Sequence, residues 1–201
     1  VAWMSVAGGI HDVVMVLGME KMERGLIPPN PGEYEGKMGK TLPAKYALRA
    51  VKHMEKYGTT VEQLAKISVK NHANGCLNPY AQFQNKITLE EVLHSRMIAE
   101  PLTLHQCCPT SEGAAALILC AKNVAEKSLR TGKRVKVRAS VLQSGAYQNP
   151  VTDPLSAEDE LTVRTALAAY KMASVEPSDI DVVEVHDAFT IGELLAYENL
   201  G

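Results

Sequence analysis

Apolar residues fall into two kinds of pattern along this chain. Uninterrupted runs at residues 13–17 and 114–121, within "DVVMVLG" and "GAAALILCA", are short, bounded by Asp or Gly, and rich in β-branched or small side chains. Such runs read as strands covered on both faces, which implies a parallel sheet with helices on each side. Elsewhere the spacing is helical. Residues 1–9 read as the end of a small-residue helix closed by Gly8 and Gly9. A helix is predicted from about Pro43 to Tyr57, stopped at Gly58, and Thr59 with Glu62 forms a capping box for the next, whose inner face carries Val61, Leu64, Ala65 and Ser68. Thr88 with Glu91 repeats that signature before "LEEVLHSRMIA".

The segment from Glu20 to about Thr103 thus reads as a mainly helical insertion, entered through the Pro- and Gly-rich "GLIPPNPGEYEGKMGKTLP". After the second apolar run, "KNVAEKSLRTGK" predicts a short exposed helix closing at Gly132, and "RVKVRASVLQSG" alternates like a longer strand. A helix from Ser156 to about Ala173 carries Val163, Ala166, Leu167 and Tyr170 on one side, before the "EPSDID" turn and a "VVEV" strand.

Composition narrows the class. The chain has 201 residues, 46% hydrophobic and 22% charged with a formal net charge of -2, the profile of a folded globular protein and not of a nucleic-acid binder. Its apolar runs are too short to span a bilayer. Cys76, Cys107, Cys108 and Cys120 lack C-x-x-C spacing, so reduced thiols in a cytoplasm or organelle matrix are expected.

Candidate chemistry gathers where strands should end. In "DVVEVHDAFTIGELL" the strand runs into His186 and Asp187 just before a helix, at the kind of junction where side chains enter a crevice beside free helix amides. Asp187 has the residue type of a helix cap, and His186 reads either as a site residue or as a histidine satisfying strand-end backbone groups. His11, His53 and His94 are expected on exposed turns and helix faces, and no zinc spacing is present. In "LTLHQCCPTSEGAAA", either Cys107 or Cys108 reads as one member of a nucleophile pair with nearby His105, or both read as small packing residues entering a buried strand. "NHANGCLNPYAQF" reads equally as an aromatic-bearing ligand entrance or as a helix stop at Asn74 and Gly75. No Gly-rich phosphate loop and no G-x-S-x-G elbow is found.

Four stretches, "GGIHDVVMVLGMEKM", "HMEKYGTTVEQLAKISVKNHANGCLNPYAQFQ", "LTLHQCCPTSEGAAA" and "DIDVVEVHDAFTIGELLAYENLG", together resemble the thiolase superfamily, in particular its sterol carrier protein 2 thiolase type. The last is the most specific, because that type carries His-Asp-x-Phe where ordinary thiolases carry Asn-Glu-Ala-Phe. The resemblance implies an α/β thiolase fold, with two βαβαβαββ halves in α-β-α-β-α layers and a mainly helical loop domain inserted in the first. Residues 1–20 and 104–132 would belong to the N-terminal half, 21–103 to the loop domain and 133–201 to the start of the C-terminal half.

The resemblance also implies roles. His186 would help form the oxyanion hole for a thioester oxygen, projecting into a water-poor cleft. Phe189 would pack beside the acyl pocket, and Cys108 and Pro109 would lie near the pantetheine. The family's nucleophilic cysteine would precede Val1, and its Gly-His-Pro histidine and Cys-x-Gly base would follow Gly201, so the chain is expected to be a partial fragment whose four cysteines do not fill those roles. The implied activity is acyl-CoA acyl transfer without a metal or resident cofactor, the coenzyme A thioester being substrate. The alternatives are a thiolase-fold aldolase acting on acyl-CoA side chains with an OB-fold acyl-CoA-binding partner, and a non-catalytic carrier or assembly subunit. The family habit implies a homodimer or homotetramer, with residues 1–18 and 107–121 at the interface, and neither a nucleic-acid nor a membrane partner.

Overall fold

The computed structural model describes residues 1–22, 25, 27–32, 34–128, 134–145 and 154–201, with 154–159 described by their backbone alone. Helix α1 (Ala2–Ala7) ends at Gly8, whose N–H reaches the Met4 carbonyl at 2.8 Å, and Gly9 takes φ 70° to turn the chain into β1 (Val13–Glu20). Strand β1 does not enter a parallel sheet. It pairs antiparallel with the other apolar run, here a strand Gly113–Cys120, in a register from Val13 opposite Cys120 to Glu20 opposite Gly113.

The expectation of a parallel sheet covered on both faces is therefore corrected for these two runs. Periodicity reports that a run wants cover, and carries no information about the direction of its partner. An antiparallel pair separated by an insertion does fit the two successive strands that close a βαβαβαββ half. Cover is also missing among the described residues: Met15, Leu17, Met19, Leu117 and Ile118 all stand exposed. The whole chain exposes 14730 Å². A compact monomer of its 21.8 kDa would expose roughly 9,000 Å².

Between these strands the chain forms α2 (Tyr34–Lys37), α3 (Leu42–Tyr57), α4 (Val61–Gly75), α5 (Leu89–Leu93) and a small antiparallel pair, β2 (Met97–Ala99) with β3 (Leu102–Thr103). Gly113–Cys120 is then β4, followed by α6 (Lys122–Ser128), α7 (Pro154–Ala173) and α8 (Thr190–Leu200). Helix α3 has Pro43 in its first turn and ends on Gly58 at φ 71°, the left-handed cap its sequence predicts. The capping box of α4 sits one residue later than expected. Thr60 Oγ1 accepts from Gln63 N–H at 3.3 Å and Gln63 Oε1 accepts from Thr60 N–H at 2.8 Å, because the Thr59 hydroxyl is already engaged with the His53 ring at 2.8 Å. The Thr88–Glu91 box forms as predicted.

The core is built mainly by the insertion and α8. Ala47 and Ala50 of α3, Leu64 of α4, Leu102 of β3, and Phe189 and Ile191 pack as one cluster, with Tyr46, Met54, Leu194 and Leu195 around it. A second cluster of Ala65, Ile87 and Val92 joins the other side of α4 to α5. Helix α7 begins at Pro154, two residues before the expected Ser156; it buries Ala166 but leaves Val163 and Leu167 exposed. Residues 134–145 and 182–185, both expected as strands, have no ladder partner among the described residues. An extended segment needs a neighbour to become a strand. The predicted helix stop at Gly132 lies outside the described residues.

Candidate functional site

The site begins where the extended segment 182–185 turns into α8. The helix starts at Thr190, and Phe189 is its cap residue, with φ -143° and ψ 144° and no side-chain hydrogen bond to the helix. Asp187 was expected as the cap, and this is corrected: it lies two residues upstream of the cap position and turns instead toward α4. There Asn71 Nδ2 donates to Asp187 Oδ2 at 2.6 Å and to Glu193 Oε2 at 2.7 Å.

Glu193 is 2% exposed and is the most deeply buried acid of the region. Its other oxygen, Oε1, pairs with the Lys70 ammonium and accepts from the Tyr197 hydroxyl. Two carboxyl groups held by one amide repel each other when both are ionised. Burial first, then the hydrogen bond and charge of Glu193, push the Asp187 pKa up, with Lys70 opposing.

The structure brings the segment at residues 107–109 against this turn. Cys107 and Phe189 form an isolated antiparallel bridge, and Cys108 N–H donates to the Ala188 carbonyl at 2.8 Å. Two of the predicted site residues, Cys108 and Phe189, thus belong to one junction, with Pro109 and His186 next to it in sequence. Cys108 and Pro109 are exposed. Phe189 is 5% exposed, stacked on Tyr46 with ring centroids 4.5 Å apart at 23°. A ring buried to that degree is part of the core cluster and does not lie open at the surface.

His186 is exposed, and its imidazole makes no hydrogen bond to the described residues. The water-poor cleft expected around it is not formed by those residues. The physical reason lies just upstream, where the segment leading to it has no ladder partner and Val182 and Val183 face outward. Just downstream the turn is closed by a bond in which Phe189 O accepts from Gly192 N–H at 2.7 Å.

The reading of a cysteine paired with His105 as a nucleophile gains nothing from this geometry. Burial, then the charge of Cys108, pushes the Cys107 thiol up to about 11, and its Sγ leans on the Thr103 carbonyl at 3.4 Å. Burial also raises the Cys108 pKa, with the Asp187 charge adding to it. The His105 ring lies edge-on to His72 with centroids 6.0 Å apart, while its carbonyl accepts from Ser68 Oγ at 2.6 Å.

The stretch "NHANGCLNPYAQF" stops α4 at Gly75 and turns through Asn78, whose Oδ1 accepts from Tyr80 N–H at 2.9 Å. His53, expected on an exposed face, is instead 6% exposed, with Nδ1 on Thr59 and Nε2 on Glu198 at 3.1 Å, tying α3 to α8. Among the described residues no three His, Cys, Asp or Glu side chains converge as a metal site, and no helix is long and apolar enough to cross a membrane. An open groove of about 590 Å³ lined by Tyr170, Lys171, Glu176 and Pro177 contains none of the junction residues.

Sequence reasoning missed Lys70, Asn71 as a bridge, Glu193 and Tyr197. A signal existed: Glu193 and Tyr197 are four apart on one helix, and an acid turned inward there needs a partner.

Residues 152–201 match the family described as thiolase C-terminal domain-like. Over 98% of its length the chain is 45% identical to an acetyl-CoA acetyltransferase of Methanothermobacter thermautotrophicus, covering 52% of that protein. It is 41% identical over 98% of its length to the benzoylsuccinyl-CoA thiolase subunit BbsB of Thauera aromatica, covering 51% of it. To sterol carrier protein 2 of Gallus gallus it is 36% identical over 98% of its length, covering 39%. The chain therefore spans about half, or less, of the length of these relatives. Among solved structures, an Ltp2-ChsH2(DUF35) aldolase superposes with a TM-score of 0.76 at 27% identity, over 98% of this chain and 54% of that one. A monomeric SCP2-thiolase-like protein type 1 from Mycobacterium smegmatis superposes with a TM-score of 0.67 at 20% identity, over 98% of this chain and 44% of that one, a likeness of fold alone.

Proposed function

Because the chain belongs to the thiolase superfamily, of the sterol carrier protein 2 thiolase-like type, we propose that the whole protein is an acyl-CoA acyltransferase. It cleaves 3-ketoacyl-CoA with coenzyme A, or condenses acyl-CoA such as acetyl-CoA to acetoacetyl-CoA. The observation that carries this reading is the meeting of Cys107 and Cys108 with Ala188 and Phe189, beside His186 in sequence, in a chain 45% identical to an acetyl-CoA acetyltransferase.

Carbon–carbon bond formation between thioesters passes through an enolate, so a hydrogen-bond donor aimed at the developing oxyanion lowers the barrier. His186 supplies that donor. Its imidazole is exposed and is not consumed by a protein acceptor among the described residues, which leaves a ring nitrogen for the thioester oxygen. Phe189 backs the acyl pocket, and exposed Cys108 and Pro109 border the pantetheine arm. The reaction uses coenzyme A thioesters as substrates and asks for no resident cofactor. The protein acts as a homodimer or homotetramer, the exposed apolar faces of β1 and β4 lying at the interface.

The test is acetyl-CoA labelling and turnover of the whole protein. An acetylated cysteine, with His186→Ala lowering kcat about 10²- to 10³-fold, is expected. No labelled cysteine together with unchanged turnover overturns the reading.

The likeness to the Ltp2-ChsH2(DUF35) aldolase favours one second reading, a thiolase-fold aldolase acting on acyl-CoA side chains with an OB-fold acyl-CoA-binding partner. Retro-aldol cleavage without any acetyl-cysteine would select it.

A further inference from the structure

Neither reading of the chemistry assigns a part to α4, yet α4 holds the turn that carries His186. Asn71 Nδ2 lies 2.6 Å from Asp187 Oδ2 and 2.7 Å from Glu193 Oε2, contacts that cross 116 and 122 residues of sequence. A neutral primary amide is suited to that position. It offers two N–H donors from a single nitrogen, whereas a hydroxyl offers one and a carboxylate none. Lys70, the next residue on the helix, takes the remaining Glu193 oxygen together with Tyr197, so Glu193 is satisfied at both oxygens while 2% exposed.

The rest of the turn is held by other means. Ala188 is fixed through its carbonyl by Cys108, and Phe189 by its carbonyl bond from Gly192 and its stack on Tyr46. Asp187 is the neighbour of His186, and among the described residues its side chain has Asn71 as its one hydrogen-bond donor. The raised pKa of Asp187 agrees with the crowding of two carboxyls on one amide.

We propose that Asn71 is a positioning residue for His186: its side-chain amide, clamped between the Asp187 and Glu193 carboxyls, sets the direction in which the imidazole leaves the turn. The helical insertion thereby controls the aim of the oxyanion donor without touching substrate. The catalytic meaning of this clamp rests on the acyltransferase reading above; the clamp itself does not.

The experiment compares wild type, Asn71→Leu and Asn71→Ser in the whole protein, by steady-state kinetics, thermal unfolding and NMR of the His186 ring. Asn71→Leu removes both donors at similar volume, and Asn71→Ser keeps one. Expected for both are a kcat at least tenfold lower, a KM for acyl-CoA within about twofold, and shifted His186 ring resonances with an altered titration midpoint. A folded variant with kcat within twofold of wild type, or a fall in kcat with His186 resonances unmoved, overturns the proposal.

Should wild type turn over no acyl-CoA, the functional reading fails, and the ring resonances alone decide the clamp: moved in Asn71→Ser they sustain it, unmoved they overturn it. Should neither variant fold, wild type decides it. Slow hydrogen exchange of the Asn71 side-chain amide protons sustains the clamp, and exchange at the rate of a free amide overturns it.

Discussion

Replacing Phe189 by alanine tests whether the junction is held by packing. The ring is 5% exposed, belongs to the cluster of Ala47, Ala50, Leu64, Leu102 and Ile191, and stacks on Tyr46 at 4.5 Å. Buried Phe→Ala changes cost about 3–5 kcal/mol, and a site that can partly collapse lies toward the low end. Tyr46 is only half-buried, so the cavity relaxes on that side and about 3 kcal/mol is expected. Of this, about 1 kcal/mol belongs to the ring–ring geometry.

Phe189→Leu keeps most of the apolar volume and loses the stack, so it should cost about 1–1.5 kcal/mol. A double-mutant cycle of Phe189→Leu with Tyr46→Leu isolates the stack and should return a coupling of about 1 kcal/mol; the contact of Arg49 over the Tyr46 ring at 5.7 Å cancels in the cycle. Urea unfolding followed by far-UV circular dichroism reads these as midpoint shifts at constant slope. A cost below about 1 kcal/mol for Phe189→Ala, or no coupling in the cycle, would show that the ring does not hold the junction.

Asp187 makes stability depend on pH with a definite sign. Its pKa is raised in the fold, so the folded state keeps the proton to higher pH than the unfolded chain does, and stability falls as pH climbs from the ordinary aspartate range through the raised value. Asp187→Asn should remove that loss, gaining on wild type as pH rises; urea midpoints between pH 4 and 8 with the opposite slope would refute it. Cys107, half-buried and with its thiol pushed up to about 11, carries about one thiolate in ten thousand at pH 7, so iodoacetamide should modify it slowly while the protein is folded, and rapid alkylation read by peptide mass spectrometry would contradict that shift.

Local rules were legible in the sequence wherever a short stretch decides its own structure. Gly58 at φ 71° and the Thr88–Glu91 box are of that kind. The capping box of α4 slipped by one residue because a distant group, His53, claimed the Thr59 hydroxyl, and no local pattern reports such competition. The burial of His53 is hidden from the sequence for the same reason: its partner Glu198 lies 145 residues away. At the junction, residue types point to His186 and the family resemblance to Phe189, Cys108 and Pro109, but the meeting of Cys107 and Cys108 with Ala188 and Phe189 is tertiary information. The Asn71 clamp is still less visible, because an asparagine one turn from a helix end looks like any other helix-stop residue.

The exposure of His186 and the exposure of the apolar strands are one physical problem. Val13, Met15 and Leu17 on β1, Leu117 and Ile118 on β4, Val135 and Leu142 beyond them, and Val182 and Val183 beside the histidine all face outward, in a chain with roughly 5,000 Å² more surface than its mass warrants. A donor–oxyanion attraction scales inversely with effective dielectric, so moving the imidazole from water to a covered setting of ε about 20 strengthens it about fourfold. If His186 is the oxyanion donor proposed above, covering those strands is therefore what favours a His186→Ala loss of about 10²- to 10³-fold. A variant that leaves His186 intact and replaces Val182 and Val183 by threonine should then lower kcat as well, since it wets the segment from which the imidazole emerges. If kcat in that variant matched wild type while His186→Ala remained severely impaired, the donor would work in a solvated setting, and desolvation would have no part in its action.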